Sequence, residues 1–130
     1  MSDLTSLTAV EIASAVAERK LSANEVTRAF LARIDALNPT INAICTPNPG
    51  ALAEADEIDH RLARGDVARP LEGVPFLVKD NLDTKGLRTT FGSRLMEKTS
   101  LARAPFASTG WRLPVACCWA RRIRPSSRTT

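Results

Sequence analysis

The run GVPFLVK, residues 73–79, does most to limit how this chain can fold. It is compact and apolar, opens on Gly73 and is followed at once by Asp80 and Asn81, the pattern of a buried strand. Pro75 has no N–H to give a ladder, so the strand begins there or lies at a sheet edge. Such a strand needs neighbours: two-stranded sheets are marginal, and a buried strand needs helices or a second sheet as cover. Without partner strands, residues 73–78 would expose apolar surface and an open edge, so a chain lacking them is expected to be marginally stable and prone to aggregate.

The preceding residues supply helices. In TAVEIASAVAERK, Thr8 and Glu11 have the spacing of a capping box, in which each side chain satisfies a free N–H of the other residue, and Ile12 and Val16 follow at helical spacing. Ser22 and Glu25 repeat the box, and Val26, Phe30, Ile34 and Leu37 mark one face of a second helix that Asn38-Pro39 is expected to stop. A third helix is expected over about Ala51 to Arg64, with Leu52, Ala55, Ile58 and Leu62 inward and Gly65 as its C-terminal cap. After the strand, DTKGLRTTFGS reads as a loop punctuated by glycine and threonine. Helices, then a buried strand and a polar loop, indicate an α/β protein seen at its beginning.

At 130 residues the chain is long enough for one modest domain. No apolar run approaches the ~18 residues that cross a membrane. Asp3 and Glu11 stand where a signal peptide would be basic and then apolar, so a cytoplasmic location is expected. Three cysteines, two of them adjacent, make no disulfide framework. Charge divides the chain. All 14 acidic residues and 12 of the 18 basic ones lie in residues 1–100, whereas residues 101–130 hold six arginines and no acid. Both tryptophans and Cys117-Cys118 also fall there, so residues 1–100 and 101–130 are expected to be different kinds of text.

Lys79 closes the apolar run and has two readings. It can reach solvent from the strand end, balanced by Asp80 or Asp83. Alternatively it is a desolvated lysine at the C-terminal end of a strand, where open α/β sheets place their sites and where burial favours the neutral amine that a general base must present. Residue patterning leaves both open. PLEGVPFLVKDNLDTKGLRTTFGS resembles the N-terminal motif of the amidase signature family, a P-L-x-G-x-P-x-x-V/I-K-D segment ahead of a T-T-x-G-S loop. LTAVEIASAVAERKLSANEVTRAFLARIDALNPTINAI resembles that family's leading helices, including its N-P-x-I-N-A turn, and the likeness covers roughly residues 5 to 98.

The resemblance implies the N-terminal part of the amidase signature fold, amphipathic helices followed by the first strands of a mixed sheet, and incomplete. It implies hydrolysis of carboxylic amides through a Ser–cis-Ser–Lys triad, with serine attacking the carbonyl, an acyl-enzyme intermediate and backbone N–H groups as the oxyanion hole. Lys79 takes the place of the terminal base. Asp80 and Asn81 would shape the site, with Thr89, Thr90, Gly92 and Ser93 in a nearby loop. The substrate would be a small-molecule amide, and neither cofactor nor metal is called for.

The family's two serines sit in a G-G-S-S-G-G-S segment beyond the lysine, and this chain has none. Its one serine pair, Ser126-Ser127, stands between Pro125 and Arg128 without the glycines that let backbone wrap an oxyanion. The genetic code offers a reason. If each new codon takes the last base of one residue's codon and the first two of the next, Cys117-Cys118 and Cys118-Trp119 both become leucine whichever cysteine codon is used. Trp119-Ala120 must become glycine. Permitted third bases elsewhere turn VACCWARRIRPSSRT into G-V-L-L-G-K-T-N-T-P-E-F-A-H, similar to the family's continuation after its threonine loop. About Pro105 to Thr130 therefore read as a frameshifted text ending at a premature stop, with residues 101–130 expected to be disordered. The fragment alone is expected to be inactive.

Other readings follow from other residues. The same motif belongs to the glutaminase subunit of tRNA-dependent amidotransferases, although N-T-P-E-F-A-H favours a general amidase over the Met-Asp-Glu-Phe continuation expected there. Arg121, Arg122, Arg124 and Arg128, with the tryptophans, would suit a small basic nucleic-acid-binding module, which salt-dependent binding lost on removing residues 101–130 would reveal. Incidental charge in an aberrant tail is the simpler account. Cys117-Cys118 lack the spacing of metal ligands. His60 reads as a solvated helix residue and Cys45 as a small buried side chain.

Overall fold

Thr8 starts the first helix as its spacing predicts. In the computed structural model, which describes residues 3–84 and 86–96 and the backbone of 116–119, helix α1 runs Ala9–Ala17. The Thr8 hydroxyl accepts from Glu11 N–H and the Glu11 carboxylate accepts from Thr8 N–H at 2.7 Å, closing the capping box. Arg19 takes a left-handed conformation (φ 57°) at the other end, and Lys20 N–H and Arg19 N–H return to the carbonyls of Ala15 and Val16. The chain reverses there into helix α2, Ala23–Ile41, whose N-cap Ser22 accepts from Glu25 N–H.

Helix α2 departs from expectation at its end. Asn38-Pro39 does not stop it: Pro39 lies inside the helix, which continues to Ile41 and ends on left-handed Asn42 (φ 51°). Proline removes one N–H from the ladder, but the Asn42 N–H still closes on the Asn38 carbonyl at 2.6 Å. The Asn38 side chain brackets the next strand, accepting from Ile44 N–H at 2.8 Å and donating to the Ile44 carbonyl at 3.0 Å. Leu37, expected on the buried face, is exposed; the helix buries Ala23, Val26 and Thr27, all near its start.

Strand β1 is Ile44–Thr46 and helix α3 is Ala51–Ala63. Ala55, Ile58 and Leu62 of α3 are buried as expected, Ala51 joins them, and Leu52 is half-buried. Gly65 (φ 94°) forms the expected C-terminal cap, its N–H returning to Leu62 and that of Asp66 to Arg61. The core of this helical layer joins Ile12, Val16, Ala23, Val26, Ala55, Ile58, Leu62 and Val74, with Phe30 packed at its margin.

Strand β2, Phe76–Lys79, begins just after Pro75. It pairs in parallel with strand β3, Ala116–Trp119, which pairs antiparallel with β1, giving the order β1-β3-β2 among the described residues. The β2–β3 register runs from Phe76 opposite Ala116 to Lys79 opposite Trp119. The apolar run thus has a strand neighbour on one side. Expectation of a wholly disordered tail does not extend to Ala116–Trp119, whose run of residues with no charge can join a sheet; residues 101–115 and 120–130 lie outside the described residues.

Candidate active site

Alternation along β2 decides which way its side chains face. Val78 is buried and meets Leu87 and half-buried Phe76, so Leu77 and Lys79 fall on the opposite, exposed face. Among the described residues nothing covers the Lys79 side chain. Lys79 is exposed, and no ion pair joins it to another described residue. Its main chain is held firmly: Lys79 stands opposite Trp119 in the ladder, and its carbonyl accepts from Leu82 N–H at 3.0 Å.

Asp80 turns inward and is only 3% exposed. Its carboxylate accepts from Thr90 N–H at 2.7 Å, from Gly92 N–H at 3.3 Å and from the Thr90 hydroxyl. Its carbonyl accepts from Phe91 N–H at 3.0 Å. A buried carboxylate needs such donors, and the TTFGS loop supplies them by an unusual path: Phe91 (φ 51°) and Gly92 (φ 70°) are both left-handed. Gly92 N–H is shared with the Thr90 hydroxyl at 3.2 Å. Thr89 and Thr90 are buried, while Gly92 and Ser93 are half-buried. Ser93 N–H returns to the Thr90 carbonyl at 2.8 Å and its hydroxyl accepts from Leu95 N–H at 3.3 Å. Asn81 is exposed.

The structure thus brings Asp80, Thr90 and Gly92 into one hydrogen-bonded unit, with Lys79 beside it on the open face. Arg88, which the sequence did not single out, ties the same loop to β1 by donating to the Cys45 carbonyl at 3.2 Å. A contact spanning 43 residues leaves no local signal, so spacing could not have found it. Ser126, Ser127 and Arg121, Arg122, Arg124 and Arg128 lie outside the described residues. Among the described residues no group of three His, Cys, Asp or Glu could hold a metal ion, and no helix is long and apolar enough to cross a membrane. His60 is exposed and Cys45 is half-buried and reduced.

A strand ending in Lys-Asp, with the aspartate folded onto a T-T-x-G-S loop, agrees with the comparison by sequence. The profile of the family described as Amidase matches residues 25–104. The chain belongs to the amidase family. It is 50% identical over 103 residues to a glutamyl-tRNA(Gln) amidotransferase subunit of Alkalilimnicola ehrlichii, covering 78% of this chain and 20% of that protein. The corresponding protein of Salinispora arenicola, of the same description, is 43% identical over 125 residues, 95% of this chain and 23% of that one. The native peptide amidase of Stenotrophomonas maltophilia superposes with a TM-score of 0.75 at 28% identity, covering 87% of this chain and 24% of that one. The chain therefore spans about a fifth of the length of these amidase relatives. Its helices and mixed sheet are a partial amidase fold, α/β in class.

Proposed function

We propose that this chain carries the lysine of an amide-hydrolysing site. Lys79 is the terminal base of a serine–serine–lysine triad, and Asp80, Asn81, Thr89, Thr90, Gly92 and Ser93 shape its surroundings. The observation that carries the reading is the placement of Lys79 at the C-terminal end of β2, inside a family match covering residues 25–104. A general base needs a nucleophile within hydrogen-bond reach. The glycine- and serine-rich segment that would bring one is absent from this sequence, so the chain alone does not turn over amides.

In this reading residues from about Pro105 onward are out-of-frame text. The forced Leu-Leu-Gly at Cys117 to Ala120 supports it. The 125-residue alignment with the Salinispora arenicola protein runs past residue 104 and is the observation it must withstand. The test is amide turnover followed by ammonia release. The chain as written is expected to give none, and the chain continued in the alternate frame through its glycine-serine segment is expected to release ammonia. Lys79→Ala in that continued chain should then lower the rate about 10²–10⁴-fold. Turnover that survives the substitution would remove Lys79 from the mechanism.

A second reading, the glutaminase component of a tRNA-dependent amidotransferase, is favoured by one observation: the relatives at 50% and 43% identity are both described as subunits of such an enzyme. It implies protein partners and a cytoplasmic place of work. The two readings separate by substrate. The amidotransferase component would hydrolyse glutamine in company with its partner proteins, whereas a general amidase would act on simple amides alone.

A further inference from the structure

We propose that Asp80 is the positioning residue of this site: by holding the TTFGS loop on its buried carboxylate, it fixes the direction in which Lys79 leaves the sheet. The proposal rests on the reading of Lys79 as the functional lysine and says how that lysine is aimed.

Asp80 is 3% exposed and forms no ion pair with any described residue, so among those residues hydrogen bonds are what meet its carboxylate. Three of them come from two residues, Thr90 through N–H and hydroxyl and Gly92 through N–H. The loop cannot withdraw without stranding a buried carboxylate, and the carboxylate cannot turn out without freeing two N–H groups. Phe91 stands left-handed between those donors, a costly conformation for a large side chain that is itself 55% exposed. Its side chain does not hold it there; its N–H, bonded to the Asp80 carbonyl at 3.0 Å, does. The peptide groups on both sides of Asp80 are thereby fixed, Lys79 by Leu82 N–H and Asp80 by Phe91 N–H, at the point where β2 leaves its pairing with β3. Loosening the loop lets the strand end rotate, and Lys79 with it.

Thr90→Val tests this without altering any charge near Lys79, because valine keeps the shape of threonine and removes only the hydroxyl donor. Measured by NMR on the full chain, amide exchange at Gly92 should accelerate about tenfold or more, the factor expected for a lost hydrogen bond to a charged acceptor. The Lys79 backbone amide resonance should move toward its random-coil position. Thr90→Ser, which restores the hydroxyl, should return both signals. Faster exchange with an unmoved Lys79 resonance makes Asp80 a loop anchor only and overturns the positioning role. Unchanged exchange overturns the clamp itself. Asp80→Asn, which removes the charge the donors serve, should show the larger effect on both signals, and an unmoved Lys79 resonance there contradicts the proposal equally. These outcomes are separate from the base role, which fails only if turnover in the frame-continued chain survives Lys79→Ala.

Discussion

Gly73 is the residue on which the junction between helices and sheet depends. It lies in the left-handed region (φ 77°), and a Cβ there would stand 2.9 Å from Cγ1 and 3.0 Å from Cγ2 of fully buried Val16. Gly73→Ala therefore adds backbone strain to a clash in the core. A loss of about 1–3 kcal/mol is expected, read as a lower denaturant midpoint at constant slope. The neighbouring Glu72 adds a second constraint, since its carboxylate is 4% exposed, accepts from Arg69 N–H at 2.7 Å and pairs with Arg61. The glycine that bounds the apolar run was legible in the sequence as punctuation. Its contact with Val16 was not, because residues 57 positions apart meet only once α1 packs on the chain entering β2.

Each helix start shows how far local signals reach. Glu11 accepts first from the Thr8 N–H and then from the Thr8 hydroxyl, and both bonds hold its carboxyl below the usual glutamate range. A lowered folded-state value means that the stabilisation is present above the unfolded glutamate pKa and is lost as pH falls through the folded one. Glu11→Gln should therefore melt below the unsubstituted chain at neutral pH, and the two Tm values should converge in acid. The start of α2 has a second cap that its own sequence does not announce. Asp59 of α3 accepts from Ala23 N–H at 2.7 Å and from Asn24 N–H at 3.0 Å, so it serves the N-terminus of another helix. Asp59→Ala should cost about 0.5–2 kcal/mol, visible in thermal unfolding, whereas the same change at exposed Asp35 within α2 should cost little. Local chemistry made Thr8, Ser22 and Gly65 readable as caps. It misplaced the end of α2 because proline weakens a helix without ending one whose last carbonyls find other donors. It could not show Asp59, Arg88 or the Asp80 clamp, whose partners come from distant sequence.

At the scale of the molecule, the described residues form a partial amidase fold, with the proposed base Lys79 at the end of β2. The family was legible because the strand, its terminal Lys-Asp and the threonine loop occur together in order, and the Asp80 bonds give that order a physical reason. What the sequence obscured was the third strand: residues 116–119 pair with both β1 and β2, although they lie in the arginine-rich stretch 101–130 that reads unlike the rest. Residues 116–119 carry no charge, and ladder bonds use backbone groups that every residue but proline possesses, so they can pair whatever frame they are read in. In the alternate frame the same positions span the forced Leu-Leu-Gly, itself a suitable buried strand end. The most direct measurement is the nucleotide sequence across codons 100 to 130. The alternate frame is expected to read L-L-G-K-T-N and to continue into a glycine- and serine-rich segment that supplies the partners of Lys79. An alternate frame with neither text would contradict the frameshift and leave this chain's tail as its own.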